Sequence, residues 1–511
     1  MIGKQNWKLI VSTLAILALC LTGFVWAQRG SRSASEAWGP RYKSARPSKP
    51  KSRRPRPGRD DTLARLRHWN EIAINASGLD HTPVAPGENR VFGEQLGPGR
   101  SSKTMAIVHI AVFEAINAIV GGYRSYTGLE PVRFRTSMDA AIAKAACDTL
   151  IAGFPTQAAS FEEALAEDLE QIPDGHEKEN GIELGRRAAV AILALRNNDG
   201  SQHAEPRVGI EFITSNDPGK WRQDPISLIP LALGAYWGQV KPFVLRSADQ
   251  FRVPPPPDMD SRAYAAAYDE AKRLGGDGIT TPTERTPEQT QIGIYWAYDG
   301  TPSLCAPPRL YNQIVVLIAE QMRSNVVETA RLLALANVAM ADAGIAIWES
   351  KYHYNFWRPV TGIREADVGT GPTGVGDGNL ATVGDPTFSP LGAPASNLSG
   401  PNFTPPFPTY PSGHAGFGGA LFQTLRNFYG TDRIAFTFVS DEYNGETVDN
   451  QGNVRPLVPR SFSSLSQAEE ENGQSRIYLG IHWSFDKTEG ITQGRRVANY
   501  VFRNVFTPQR R

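Results

Sequence analysis

Apolar residues in this chain recur with the period of an α-helix, and that period holds over most of the length from Asp60 onward. Ser102–Val120 (SKTMAIVHIAVFEAINAIV) is the clearest case, and Met138–Ala152, Phe161–Ile172 and Gly181–Leu195 repeat it. Residues 200–260 are irregular and proline-rich, with PPPP at 254–257, after which helical signals return at Tyr264–Leu274, Pro287–Ala297 and Tyr311–Met322. A long run from Val326 to about Lys351 follows, and Gly413–Tyr429 and Leu465–Val505 complete the set. The period-two alternation of a half-buried strand is scarce. The pattern predicts an all-α protein of packed helical bundles with minor β content, and no internal repeat stands out. Asp367–Pro408 is a long Gly/Pro/Asn loop, unusual inside a compact domain unless it forms part of a site.

The first 59 residues follow other rules. Met1–Ala27 reads as a secretory signal: Lys4 and Lys8 precede the apolar stretch Leu9–Val25, and Val25-Trp26-Ala27 offers a cleavage site before Gln28. This implies a secreted or periplasmic protein. The alternative is an uncleaved membrane anchor, since a run of 17 apolar residues sits at the short limit for spanning. Residues 28–59 are rich in Pro, Ser and Arg and read as a disordered linker. This basic tail is suited to touching anionic surfaces, and equally reads as a solvated spacer with no partner. Residues 60–511 carry 40 basic and 51 acidic side chains, so the body is acidic and nucleic-acid binding is not expected. This body is expected to be one helical domain with its site at about 310–511. With Cys20 in the leader, Cys147 and Cys305 remain, and whether they pair stays open.

Three segments of the C-terminal half carry the chemistry. In Lys351–Pro359 (KYHYNFWRP), Lys351 and Arg358 are seven residues apart, about two turns, so a continuous helix would turn both to one side. Pro359 disfavours helix at Arg358, which places that arginine at a break. A lysine supplies a compact charge and an arginine a planar fork for two oxygens. In Pro411–His414 (PSGH), a helix start offers free N–H groups to an anion, Ser412 a hydroxyl, Gly413 close backbone approach and His414 an acid/base. In Ser475–Asp486 (SRIYLGIHWSFD), Arg476 and His482 would lie about 120° apart on an ideal helix, so they share a ligand only if the backbone departs from helix, as Gly480 permits. His482 and Asp486, four residues apart, would share a helix face and let the carboxylate hold one ring nitrogen. Each segment alone has a plainer reading: a solvated basic face, a helix cap beside a core histidine, an ion-pair network. Among the other histidines, His109 is expected to be a hydrogen-bonded core residue and His353 to face away. His68, His81, His176 and His203 lack metal-ligand spacing. Asp299 is the expected partner of one site arginine.

In order and spacing, Lys–six residues–Arg-Pro, then Pro-Ser-Gly-His, then Ser-Arg–five residues–His–three residues–Asp, the chain resembles the type-2 phosphatidic acid phosphatase superfamily, which includes the vanadium-dependent haloperoxidases. Its size and large helical N-terminal half resemble the haloperoxidase branch. Trp348 and Phe407 resemble the aromatics that line a halide pocket there. The resemblance implies vanadate as cofactor, hydrogen peroxide as co-substrate, and halide (bromide or chloride) oxidised to hypohalous acid or passed to a small organic acceptor. It implies His482 as the metal ligand, with Lys351, Arg358, Ser412, Gly413 and Arg476 around the vanadate oxygens and His414 as acid/base. Lys351 would further polarise the peroxide. The alternative within the superfamily is a secreted acid phosphatase in which His482 attacks phosphorus, helped by Asp486. Halide range and oligomeric state, a homo-oligomer included, stay open.

Overall fold

The computed structural model describes residues 33–44 and 61–509. The leader and most of the basic stretch lie outside the described residues. Residues 33–44 do not behave as a disordered linker. A short helix α1 (Ala34–Trp38) and a two-residue strand β1 (Lys43–Ser44) lie against the body, because Trp38 and Tyr42 bury their rings there.

The helical period is realised almost element by element. Helices α2 (Thr62–Asp80), α3 (Gly97–Val120), α4 (Met138–Gly153), α5 (Ala158–Leu169) and α6 (His176–Arg196) form the N-terminal group. Then come α7 (Arg262–Gly275), α8 (Pro287–Tyr295), α9 (Pro308–Gln321), α10 (Val326–Tyr354) and the short α11 (Pro359–Arg364). The chain continues through strand β2 (Leu398–Ser399), α12 (Gly413–Tyr429), strands β3 (Phe436–Asn444) and β4 (Leu457–Phe462), α13 (Leu465–Tyr478) and α14 (Ser484–Asn504). Strand β1 pairs antiparallel with β2, and β3 with β4. The all-α expectation with minor β content holds. The predicted single run Leu465–Val505 is two helices, divided at Gly480, whose φ of 69° no helix can accommodate.

Helix α10 is the axis of the molecule. It packs against α3 on one side and against α12 and α14 on the other. Its Ala-rich sequence lets neighbours approach from all sides. An Asn325/Glu328 capping box starts it, and Asn355, left-handed at φ 53°, ends it. Helices α3 and α10 are long and apolar enough to cross a membrane, but 89% and 100% of their most apolar windows are buried inside the protein, as in core helices. Cys147 and Cys305 are both buried and unpaired. His109 is a buried core residue as expected, and its Nε2 finds no hydrogen-bond partner among the described residues.

Candidate active site

The three segments meet at the floor of one cavity. Helix α10 brings Lys351 in its last turn, and the chain breaks at Asn355 before Arg358 caps α11. Ser412 caps α12, its Oγ accepting from Ala415 N–H at 3.4 Å, while its own N–H donates to the Asp486 carbonyl at 2.9 Å. That bond ties the start of α12 to the start of α14. Arg476 comes from the last turn of α13, and the reversal at Gly480 brings His482 round beside it. His482 and Asp486 meet as expected, for a different reason. His482 precedes α14, and Asp486 in its first turn reaches back to it.

The hydrogen bonds fix the proton positions. Arg358 Nη1 donates to His482 Nε2 at 3.0 Å, so Nε2 holds a lone pair and Nδ1 carries the hydrogen, which it donates to Asp486 Oδ2 at 2.7 Å. The same carboxylate oxygen accepts the Thr409 hydroxyl and, at 3.1 Å, Trp483 N–H. Burial and the nearby Arg358, Lys351 and Arg476 charges hold His482 well below the usual histidine range, which keeps it neutral. His414 Nε2 donates to the Ala297 carbonyl, leaving Nδ1 as its acceptor. Burial and Arg476 lower its pKa likewise. Burial raises Asp486, while the Thr409 hydroxyl and the Lys351 charge pull it back down.

Three cations lie fully buried here: Lys351, Arg358 and Arg476. Lys351 Nζ donates to the Pro408 and Thr409 carbonyls at 2.8 and 2.7 Å, one layer behind the cavity surface. Burial and Arg358 drive its pKa well down, and burial lowers Arg358 to about 9. Arg476 Nη2 pairs with Asp299 at 2.7 and 2.9 Å, the partner expected for it. Arg358 Nη2 and Arg476 Nε and Nη1 are buried with no partner among the described residues. Orphaned guanidinium donors cost about 1–3 kcal/mol each or more, so their clustering marks a place built for an anion. Beside it Trp348 and Phe407 pack at 4.9 Å between centroids, with Lys351 Nζ 5.1 Å from the Phe407 ring centre. Both aromatics line the cavity with Gly413, His414, Arg476 and His482.

Several contributors were not visible in the sequence. Thr409 lies 3.1 Å from His482 Nδ1 and bonds Asp486, from 73 and 77 residues away in the chain. Tyr311 Oη and Asn472 Nδ2 both donate to the His414 carbonyl, at 2.9 and 3.0 Å. Only their closeness to the quoted motifs could have flagged Thr409 and Asn472, and nothing flagged Tyr311. His81 also lines the cavity, its ring nitrogens held by Ser77 O at 2.8 Å and Gly97 N–H at 3.0 Å, whereas His353 is exposed.

A helical bundle that buries orphaned guanidinium donors around a neutral histidine, with a second histidine poised beside them, is built to hold a tetrahedral oxyanion and move protons on it. The comparisons with known proteins narrow the class. Residues 331–510 match the VCPO second helical-bundle domain. Vanadium chloroperoxidase of Curvularia inaequalis is 31% identical over 502 residues, covering 82% of this chain and 78% of that protein. The solved structure of a bacterial vanadium-dependent iodoperoxidase superposes with a TM-score of 0.65 at 25% identity, over 85% of this chain and 95% of that one. A bacterial vanadium-dependent chloroperoxidase shares the fold, with a TM-score of 0.59 at 17% identity over 81% and 96%. The chain belongs to the vanadium-dependent haloperoxidase family.

Proposed function

We propose that this protein holds vanadate in the cage and uses hydrogen peroxide to oxidise halide to hypohalous acid, bromide in the first instance. The observation that carries the reading is the gathering of three partnerless guanidinium nitrogens beside a histidine whose Nε2 keeps its lone pair, met here only by Arg358 Nη1. Vanadate and phosphate present the same tetrahedral oxygens to these donors, and family membership favours vanadate. When bound, vanadate supplies a Lewis acid that polarises peroxide for attack by halide without a change of oxidation state.

The residues divide the remaining work. Arg358 Nη2 and Arg476 Nε and Nη1 satisfy oxyanion oxygens, with Ser412 and the Gly413 N–H at the head of α12. His482 provides Nε2 as ligand, and Asp486 and Thr409 hold the ring by Nδ1–H. His414 takes the proton of incoming peroxide at Nδ1, while Ala297 fixes its other nitrogen. Lys351 stands behind the halide side, its Nζ held by the Pro408 and Thr409 carbonyls and facing the Trp348 and Phe407 rings. The two halides in the relatives' names, chloride and iodide, bracket bromide in ease of oxidation, which makes bromide the halide to test first.

Protein loaded with vanadate should brominate a phenolic dye in the presence of peroxide and bromide, and excess phosphate should slow the loading. Hydrolysis of p-nitrophenyl phosphate by vanadate-free protein, with no bromination after loading, would overturn the assignment in favour of a phosphatase.

A further inference from the structure

Above its polar floor the cavity changes character. Its upper walls are apolar, drawn from Leu96, Ile229, Leu231, Phe403 and Pro405, and one wall comes from the other end of the chain: Ala37 and Trp38 of α1. This wall is built into the fold. Trp38, only 7% exposed, meets Phe403 edge-on at 5.0 Å, and Tyr42 packs on both rings at 5.3 and 6.4 Å. Ser33 and Glu36 box the start of α1, and Arg41 Nη1 donates to the Ile226 carbonyl at 2.6 Å. The pairing of β1 with β2 then pins the segment's far end.

The cavity opens at its mouth, and inside it the centres of water-sized molecules range over about 70 Å³, room for several such molecules side by side. Its apolar walls offer halide and peroxide no hydrogen bonds. The cations of this site lie at the floor, so the walls hold no counter-charge for an ionic guest.

We propose that this upper chamber binds an uncharged aromatic halogen acceptor, and that Trp38 is a positioning residue that sets which ring carbon faces the floor. The proposal rests on the haloperoxidase reading above. Halide, peroxide and one proton give hypohalous acid and water. The acceptor ring then attacks the halogen: a carbon–halogen bond forms, the oxygen–halogen bond breaks, and the hydroxide released leaves as water with the displaced ring proton.

The test uses 1-naphthol as probe with the full-length protein, Trp38→Ala and Trp38→Phe. Calorimetric titration of vanadate-free protein should show 1-naphthol binding, weakened about fivefold or more by Trp38→Ala and largely restored by Trp38→Phe. In vanadate-loaded protein, the ratio of 2-bromo to 4-bromo product should differ from that of reagent hypobromous acid and move toward it in Trp38→Ala. Bromide-dependent peroxide consumption without acceptor should be unchanged in both variants. Absence of naphthol binding, a wild-type isomer ratio equal to the reagent's, or indifference of both readouts to Trp38→Ala would overturn the proposal. Loss of bromide-dependent peroxide consumption in the wild type would instead overturn the haloperoxidase reading, while the titration on vanadate-free protein still decides whether the chamber binds the probe.

Discussion

A histidine can serve as a ligand only while one ring nitrogen keeps its lone pair, and at His482 the neighbours arrange this. Thr409 and the Trp483 amide donate to the same Asp486 oxygen, Oδ2, that receives Nδ1–H. Replacing Asp486 with Asn should keep the shape but weaken the hold on Nδ1–H. Vanadate affinity, measured by equilibrium dialysis, should then fall by about 10–100-fold; an unchanged affinity would contradict the role given to Asp486. His109 makes a separate prediction. Burial alone lowers it to about 3, so the folded protein keeps it neutral while the unfolded chain protonates it below its ordinary 6.5. A group whose folded pKa is depressed in this way leaves stability whole above about 6.5 and draws it down as pH falls toward 3. The slope should be up to about 1.4 kcal/mol per pH unit. His109→Leu should flatten that part of the acid limb in denaturant titrations at pH 7, 5.5 and 4.5, and an unaltered limb would show that His109 does not contribute. At this scale the cage was largely legible, because its charges fall within short segments. Thr409 and Tyr311 were not, because their roles exist only through contacts far apart in the chain.

Between α13 and α14 the chain must turn sharply enough to bring Arg476 and His482 to one cavity, and Gly480 makes the turn. Its φ is 69°, and a Cβ there would lie 2.5 Å from the Gly275 carbonyl oxygen. Gly480→Ala should therefore cost about 2 kcal/mol or more in unfolding free energy, from the left-handed backbone and the clash together. It should also weaken vanadate retention, because Ile481 and His482 move with the turn; denaturant midpoints and dialysis read the two effects. Wild-type values of both would show the turn to be uncritical. The break was foreseeable from the angle between Arg476 and His482, although the hydrophobic period ran straight across it. The β3–β4 hairpin was not legible. Its buried stretch includes Ser440, Asp441 and Glu442, whose burial depends on partners outside the strand: the Tyr295 carbonyl for Ser440, Arg309 on Asp441 at 2.9 Å and Arg455 on Glu442 at 2.5 Å. Polar residues buried by partners outside the strand do not read as a strand. The hairpin in turn supports the site, since Glu442 accepts Tyr298 N–H at 3.2 Å, next to Asp299.

Across the whole molecule, α10 joins the two halves. Its middle packs against α3, α12 and α14, and its last two turns bring Trp348 to the cavity and Lys351 just behind it. The N-terminal half therefore positions the site by packing, without supplying the charges of the cage. The helical architecture was legible because a 3.6-residue period survives over long segments. The docking of residues 33–44 was not, because composition marked them as linker and only Trp38 and Tyr42, two aromatics in a basic run, hinted otherwise. The central claim is that the cage holds vanadate through His482, and vanadate retention after exhaustive dialysis of the wild type, His482→Ala and His414→Ala tests it most directly. The account predicts about one vanadium per chain for the wild type and for His414→Ala, with turnover lost in the latter, and a loss of affinity on the order of 100-fold or more for His482→Ala. Retention by His482→Ala equal to that of the wild type would contradict it.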